Sequence, residues 1–443
     1  MSKKKGILLA VLSSALLMLN SFAQAQDVVQ DSLIISLDEA IQIALEESNT
    51  VKIADLNVVK SGYAKKGSYA ALYPNISANG SYQRTLKKQV MAMDFQGQAM
   101  EIAVGKWNNV NAGVTAAVPL VNAQLWESLK LSALDVELAV EQARSSKVSM
   151  VSQVKQAFYG VLIAQYVYEV YQNVYDNAAY NFEQTEKKYN VGKVSEYEYL
   201  RAKVNVKNAE PNVYSALASI DLAIWQLKAV MGLDLDTKIG IKGDMKQYEE
   251  EIIAFNVNDT VNLEKNSTLI QFGLQEQQLE KSIKMIKYQY IPTLSASFSY
   301  NYIAMSDDSK LNWNPYSVLG LTLNIPIFDG LSKHYNVRQQ TAAQDILRLN
   351  REDTERKLRI AYKSYNNQIV TYIENYYAAE STLEMAQKSY DIAAKMYELG
   401  KATLTELNDA QLALVQSQLT MSQAIYNFKV AMAQLEELQG LEY

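Results

Sequence analysis

The sequence repeats itself once, at an interval of about 208 residues, and this repeat limits the folds open to the chain. Residues 189–202 return as residues 397–410, and both segments begin with Tyr-x-x-Gly-Lys. In the same way, residues 118–120 (Val-Pro-Leu) return as residues 325–327 (Ile-Pro-Ile). Solenoid repeats are only about 20–50 residues long. One duplication of this size therefore predicts two similar halves, each with long helices and one pair of strands.

The first 25 residues have the three parts of a secretory signal peptide. Lysines at positions 3–5 precede the apolar run 7–19, and Ala23-Gln24-Ala25 supplies the small residues before a cleavage site. An uncleaved anchor is disfavoured because this run is shorter than the ~20 residues that span a bilayer. We therefore expect residues 1–25 to be removed, which takes the net charge from −6 to −9.

The absence of cysteine limits the covalent chemistry of the exported chain. Without a thiol it has neither disulfides nor a site for a cysteine-linked lipid anchor. Its acidic balance argues against nucleic acid as a partner. The single histidine, His334, excludes a His/Cys metal site within one chain. We therefore expect no cofactor, no metal site and no enzymatic activity.

Four segments alternate apolar with small or polar residues at the period of two that is typical of strands. They predict a first repeat over residues 26–232 with a β-hairpin at 76–118, and a second repeat over 258–443 with a β-hairpin at 294–326. Residues 233–257 have no counterpart and are expected to form a linking, equatorial segment. Proline is expected where helix meets strand, because it can neither continue a helix nor donate in a central ladder. Four of the six prolines lie at such points, namely Pro74, Pro119, Pro292 and Pro326.

Two helical stretches of about 70 residues lie between the hairpins and the repeated Tyr-x-x-Gly-Lys motifs. At ~1.5 Å per residue each stretch would reach roughly 100 Å. The second carries an apolar seam with spacings of three and four over more than five heptads, which is typical of a coiled coil. We interpret its tyrosines as packing residues. The seam consists of Leu358, Ala361, Tyr365, Ile369, Tyr372, Tyr376, Ala379, Leu383, Ala386, Tyr390, Ala393 and Tyr397.

Each helical stretch is expected to end in a tight turn, which we call a tip. Gly192 and Gly400 stand where a left-handed residue commonly ends a helix. The next residues, Ser195-x-x-Glu198 and Thr403-x-x-Glu406, form capping boxes that would start a return helix. The sequence therefore predicts one helical hairpin in each repeat.

The predicted strands have one apolar face and one small, polar face, as in a transmembrane barrel with a wet interior. Four strands cannot close a barrel, whereas three chains would contribute twelve. A soluble two-sheet sandwich is the alternative, but it does not explain why such long helices leave the same sheet. Aromatic residues near the hairpin loops would form an interfacial girdle. They are Trp107, Tyr302, Trp313 and Tyr316.

The chain resembles the TolC family of outer-membrane efflux and secretion factors over essentially its whole mature length. The duplicated layout, Tyr-Pro-Asn75 and Ile-Pro-Thr293 before strands, and the two tips carry the resemblance. Residues 325–330 (Ile-Pro-Ile-Phe-Asp-Gly) add a junction motif, which the first copy lacks at residues 119–123. The resemblance implies a homotrimer with a twelve-strand barrel in the outer membrane, continued by a long periplasmic α-helical coiled-coil barrel.

The function implied by the resemblance is a passive exit duct in a tripartite efflux pump for small toxic compounds. Its partners would be outer-membrane lipid, a periplasmic adaptor (membrane fusion) protein and an inner-membrane RND or ABC transporter. Two alternatives stay open. One is the outer-membrane duct of a type I protein secretion system, and the other is a soluble periplasmic coiled-coil scaffold.

The family pattern also assigns roles at the tips. The periplasmic gate would fall on Tyr397, Glu406 and Asp409, with Ala402 standing where the family has a basic gate residue. Glu406 has an alternative role as the third residue of its capping box. The adaptor would contact the two turns, at Gly192, Lys193, Val194, Ser195, Gly400, Lys401, Ala402 and Thr403.

Overall fold

The computed structural model describes residues 33–95, 98–255, 261–308 and 310–441. The expected signal peptide, residues 1–25, and the expected start of the second repeat at residue 258 lie outside them. Within the described ranges, no helix is both long enough and apolar enough to cross a membrane.

The described residues form eight strands and eight α-helices. The first half contains β1 (Leu33–Ile35), α1 (Leu37–Glu47), α2 (Asn49–Ala70), β2 (Asn75–Arg84), β3 (Gln89–Phe95), β4 (Gln98–Val104), β5 (Asn108–Val121), α3 (Ala123–Asn190) and α4 (Glu196–Met231). The linking segment contains β6 (Ile239–Ile241), a 3₁₀ turn (Met245–Tyr248) and α5 (Glu249–Ala254). The second half contains α6 (Ser267–Tyr288), β7 (Thr293–Ser306), β8 (Trp313–Asn324), α7 (Ser332–Glu398) and α8 (Leu404–Gln439).

The helices of the two halves have closely matched lengths. Helices α2 and α6 have 22 residues each, α3 and α7 have 68 and 67, and α4 and α8 have 36 each. The prediction of two stretches of about 70 residues is confirmed.

The junction motif missing from the first copy is replaced by Asn122, whose side chain accepts a hydrogen bond from the Leu125 amide at 3.0 Å and caps α3. A helix thus starts there without the motif.

The motif Ser36-x-x-Glu39 predicts a capping box and one helix that runs to about Leu72. The N-terminal helix begins at this box but is not continuous. The amide of Ser36 donates to the Glu39 carboxylate at 2.8 Å and the Glu39 amide donates to the Ser36 hydroxyl at 3.4 Å, which completes the predicted capping box. The expected single helix up to about Leu72 is wrong, because Ser48 adopts an extended conformation between α1 and α2.

The four predicted strands form one antiparallel sheet in the order β2-β5-β7-β8, so β2 and β8 are its edges. Side chains that face each other across strands have matching polarity. One row across the sheet is Ile76, Ala116, Phe298 and Leu319, and the neighbouring row on the other face is Ser77, Thr115, Ser299 and Val318. The register therefore confirms the predicted separation into an apolar face and a mainly small or polar face.

A separate two-stranded sheet, β3 and β4, rises from the loop between β2 and β5. The sequence predicted a single β-hairpin over residues 76–118, and this second pair of strands within it was missed. Its strands have seven residues each, and apolar residues such as Val90 and Ala103 also occupy the alternate positions, so no clear alternation marks them in the sequence.

The coiled-coil seam is the core of the long helices. Ile369 and Tyr376 are 0% and 1% exposed, and the other seam residues are buried or half-buried. Small alanines alternate with tyrosines and leave room for the rings. This supports the interpretation of the tyrosines as packing residues.

The linking segment packs against the middle of the long helices. Its strand β6 pairs in parallel with the N-terminal strand β1. The ammonium of Lys429 on α8 lies 2.5 Å from a carboxylate oxygen of Glu251. It also lies 4.4 Å from the ring centroid of Tyr248 and 5.2 Å from that of Tyr159 on α3. One nearly buried cation therefore connects the linking segment to both halves.

The end of α8 closes against the start of α6 through a glycine. Gly440 has φ of 70°, and a Cβ atom there would overlap the carbonyl oxygen of Lys265. Arg144 on α3 donates to the carbonyl oxygens of both Gly440 (3.1 Å) and Lys265 (2.7 Å). The end of α8 and the start of α6 therefore meet at a point with no room for a side chain.

We predict that Gly440→Ala lowers stability far more than Gly192→Ala does. Both glycines have positive φ, 70° and 72°, so both substitutions carry the left-handed penalty of about 1–2 kcal/mol. Only Gly440 has backbone atoms in the way, whereas Gly192 faces open space. Thermal unfolding of the purified protein in detergent measures the difference. Equal losses for the two variants would show that the α8–α6 joint is not tightly packed.

Candidate functional site

The two tips turn with the same backbone hydrogen bonds. At the first tip the amide of Gly192 donates to Tyr189 O (2.8 Å) and that of Lys193 donates to Lys188 O (2.8 Å). At the second tip Gly400 donates to Tyr397 O (3.0 Å) and Lys401 donates to Met396 O (2.8 Å). The bonds donated by Lys193 and Lys401 are six-to-one bonds, and each lies beside a left-handed glycine. This arrangement is the Schellman motif, which commonly ends a helix. Both helical hairpins therefore form at the residues predicted for them.

The return helices start differently at the two tips. Glu406 completes the capping box: its carboxylate accepts from the Thr403 amide (2.7 Å) and hydroxyl (2.9 Å), and its own amide donates to that hydroxyl (3.3 Å). At the first tip, the Ser195 hydroxyl accepts from the Glu198 amide at 3.3 Å, but in the described region the Ser195 amide makes no hydrogen bond to the Glu198 carboxylate. Both hydrogen bonds of the predicted capping box form at the second tip, whereas only one of the two forms at the first tip.

The bonds from Thr403 set the charge state of Glu406. The backbone hydrogen bond from Thr403, followed by the bond from its hydroxyl, lowers the pKa of the Glu406 carboxyl below its usual value. The carboxylate is exposed and stays ionised at neutral pH. The capping role that was the alternative for Glu406 is present in the structure.

Asp409 has a different environment. It lies three residues beyond Glu406 on α8, on the same side of the helix. It is exposed, and within the described part of the chain no hydrogen bond or ion pair involves its carboxylate. Its charge is therefore available to a ligand or to another copy.

Tyr397 is not a free surface residue. It is half-buried against a small cluster whose fully buried members are Ala202, Leu404 and Leu407. Its hydroxyl lies 3.4 Å from the hydroxyl of Thr185 on α3. Since Thr185 already donates its proton to Asn181 O at 2.8 Å, the hydroxyl of Tyr397 is the donor.

Lys188 adds a second contact between the two helical hairpins. Its ammonium lies 5.9 Å from the Tyr397 ring centroid, within the range of a cation–π interaction. Sequence analysis missed both Thr185 and Lys188, because it compared the tips with each other and not across the interface between them. The structure therefore joins Tyr397 to α3 and leaves Glu406 and Asp409 on the surface.

The tips also expose apolar side chains that sequence analysis did not select. Val191, Tyr197 and Leu399 are 67%, 70% and 62% exposed, whereas Val194 and Ala402 are half-buried. The other predicted docking residues are exposed. They are Gly192, Lys193, Ser195, Gly400, Lys401 and Thr403.

Nowhere in the described ranges are three or more acidic or histidine side chains placed to hold a metal ion. The ring nitrogen Nε2 of His334 accepts a hydrogen bond from Arg338, one turn along α7, at 3.2 Å.

We predict that Glu406→Gln increases amide hydrogen exchange at residues 404–407, and that Glu198→Gln has a smaller effect at 196–199. The carboxylate of Glu406 binds Thr403, and the matched carboxylate of Glu198 makes no such bond in the described structure. A carboxyl whose folded pKa is lowered stabilises the fold above its unfolded pKa. That stabilisation is lost as pH falls through the folded pKa. The difference between wild type and Glu406→Gln should therefore vanish at acidic pH, and a difference that is independent of pH would rule out this role.

Known proteins share this sequence pattern and this architecture. The family described as "Outer membrane efflux protein" matches residues 40–233 and 262–441. The outer membrane protein TolC of Vibrio cholerae serotype O1 is 22% identical over 351 residues, which cover 75% of this chain and 76% of that protein. The cobalt-zinc-cadmium resistance protein CzcC of Cupriavidus metallidurans is 25% identical over 272 residues, covering 60% of this chain and 62% of that protein.

A solved outer membrane channel has the same fold as this chain. The CmeC outer membrane channel of Campylobacter jejuni superimposes with a TM-score of 0.71 at 15% identity, covering 94% of this chain and 90% of CmeC. At this identity the likeness establishes the fold alone. The family match covers most of the chain and includes both helical hairpins and the sheet. The chain belongs to the outer membrane efflux protein family, the family of TolC-type channels.

Proposed function

We propose that this protein is the outer-membrane duct of a tripartite efflux pump and acts as a homotrimer. The observation that carries the proposal is the four-stranded sheet, which has one apolar face and two unpaired edges, β2 and β8. In hydrocarbon an unpaired edge leaves backbone groups without hydrogen-bond partners, which costs several kcal/mol for each group. Pairing β8 of one copy with β2 of the next removes every edge when three copies close a barrel of twelve strands.

The exposed side chains of the sheet suit a lipid boundary. Leu319, Leu321 and Leu323 on the apolar face are 77%, 70% and 60% exposed in the single chain. Tyr302 and Trp313, two of the aromatic residues expected in the girdle, lie on this face towards the hairpin end and are 43% and 46% exposed. Tyr316 pairs with Asn301 and lies on the opposite face, so the prediction that places it in the girdle is wrong. Trp107 stands just before β5 and is 37% exposed.

The opposite face would line the lumen. Its paired positions carry Ser, Thr, Asn, Gly and a few apolar residues, without an acidic or basic side chain. Such a wall selects neither cations nor anions, which suits a passive duct. The long helices would continue the lumen through the periplasm, and the matched helix lengths support the origin of the two repeats by internal duplication.

We assign the periplasmic gate to the second tip. Asp409 would bring three exposed carboxylates towards the three-fold axis, one from each copy. Glu406 would add three more, although each of these also caps its own helix. Tyr397 would hold the second hairpin against the first in the closed state, through Thr185 and Lys188. Opening would then require these contacts to break.

The adaptor would bind at the exposed tips, and the inner-membrane transporter would be an RND or ABC protein. The exposed apolar residues Val191, Tyr197 and Leu399 support this assignment, because they offer a partner apolar surface beside the polar turns. The substrate class is small toxic compounds.

Planar bilayers test the duct and its gate together. We expect the purified protein to give small, discrete conductances because the resting entrance is closed. Tyr397→Phe removes a hydrogen bond worth about 1 kcal/mol, so the open fraction should rise up to about fivefold. Tyr390→Phe is the matched control, since its ring belongs to the same cluster and no hydrogen bond of its hydroxyl is found in the described residues. A protein without channel activity would refute the duct, and an unchanged Tyr397→Phe variant would refute the contact with Thr185 as part of the gate.

Docking is tested by placing a charge at both turns. Val194→Asp together with Ala402→Asp should abolish efflux in a strain that lacks its own duct. Membrane insertion and oligomer formation should be unchanged, because both residues lie in turns far from the sheet. The exposed site Tyr214→Asp, on α4 away from the turn, is the control and should retain efflux. Full efflux by the double variant would show that these turns only reverse the chain.

A further inference from the structure

The hairpin formed by β3 and β4, residues 89–95 and 98–104, lies at the end of the sheet opposite the long helices. Helices α2 and α3 join the sheet at Asn75 and Val121, whereas the hairpin leaves from Arg84 and returns at Asn108. In the proposed orientation the helices lie in the periplasm. The hairpin, which we call the exit hairpin, would therefore stand outside the cell at the mouth of the barrel.

Asp307 fixes the base of the exit hairpin. This residue follows β7, and its carboxylate accepts from Lys88 Nζ at 2.8 Å and from Lys106 Nζ at 2.6 Å. It also accepts from the Trp107 amide at 3.3 Å, and the Lys88 ammonium lies 4.8 Å from the Trp107 ring centroid. Lys88 precedes β3 and Lys106 follows β4, so one carboxylate ties both ends of the hairpin to the β7–β8 loop.

The bonds of Asp307 with Lys88 and Lys106, which we call the clamp, do not depend on pH over the range in which cells grow. The hydrogen bond from Lys106, and then that from Lys88, lowers the pKa of Asp307 to about 2. A carboxylate with a lowered pKa keeps its partners above that value and loses them only as pH falls through it. The bonds that tie the base of the hairpin to the β7–β8 loop therefore persist at neutral pH.

One face of the exit hairpin is apolar, and none of the residues that the structure describes covers it. Met91, Met93, Ile102 and Val104 share this face through the β3–β4 register. They are 49%, 57%, 43% and 45% exposed. Glu101 lies on the opposite face. An isolated two-stranded hairpin is only marginally stable in water, so a lasting hairpin needs a partner for this face.

The position of the hairpin indicates what that partner is. It rises directly from β2, which is one of the two free edges of the sheet. The edge at which a second copy would pair thus continues into the base of the hairpin. Lipid headgroups fit the face poorly, because it carries no basic side chain and the lysines at its base are engaged by Asp307.

We propose that the exit hairpins of neighbouring copies pack together through the face of Met91, Met93, Ile102 and Val104 and form a cap over the outer mouth of the duct. This inference rests on the proposed trimer. The cap narrows the exit on the extracellular side, at the opposite end from the periplasmic gate. Asp307 is a positioning residue in this arrangement, because it sets the angle at which the hairpin leaves the barrel.

Single cysteines test the cap cleanly, because the natural chain contains none. Met91→Cys and Ile102→Cys lie on the apolar face, and Val90→Cys and Ala103→Cys lie on the opposite face as matched controls of similar exposure. A short bis-maleimide reagent applied to whole cells should link copies at least several-fold more through the first pair. Adding Asp307→Asn should lower the yield. Adding Asp308→Asn should not, since the described hydrogen bonds of Asp308 use only its backbone atoms.

The number of copies is measured separately on the same samples by native mass spectrometry. A trimer that cross-links equally through both faces, or through neither, would overturn the cap and leave the duct intact. Protection of Met91→Cys from a soluble maleimide without cross-linking would assign the face to lipid or to another protein, and would also overturn it. A protein that is not trimeric would overturn both the cap and the proposed duct.

Discussion

The two free edges of the β2-β5-β7-β8 sheet are the constraint on which the rest of the structure depends. A sheet with an apolar face can be covered by a second sheet or by lipid, but in lipid its edges cannot stay unpaired. The described residues contain no second sheet large enough to cover it, since the other two have only two strands each. If the sheet lies in lipid, as proposed, assembly with other copies would therefore be required by the backbone, and side chains at the interface would add specificity.

The helical part meets a different constraint, which is to keep helices of about 100 Å in register over their whole length. The alternation of alanine and tyrosine along the seam gives close packing with few charged groups inside. At mid-length, Lys429 binds Glu251 and two tyrosine rings and thereby connects the halves. At the tip, the contacts of Tyr397 with Thr185 and Lys188 connect the two hairpins again, and they are weaker. In the proposed gate, a strong joint in the middle and a weak one at the end would allow the tip to move while the rest stays fixed.

Much of this arrangement could be read from the sequence, because each main element has a strong local signal. The seam spacing identified α3 and α7, the period of two identified the four strands of the main sheet, and the two glycines identified the tips. Contacts between distant segments could not be predicted in this way. The pairing of β1 with β6, the clamp at Asp307 and the bond from Tyr397 to Thr185 all join residues more than 190 positions apart. No periodicity marks them, and the exit hairpin was missed because no clear alternation marks its strands.

The number of copies in the native particle tests the central claim most directly. Native mass spectrometry of protein extracted from the outer membrane in mild detergent counts the copies without assuming a function. The account predicts three, because three sheets of four strands close one barrel and leave no edge. A single copy, or a particle with any other number of chains, would contradict it, since β2 and β8 would then need another way to satisfy their backbone groups.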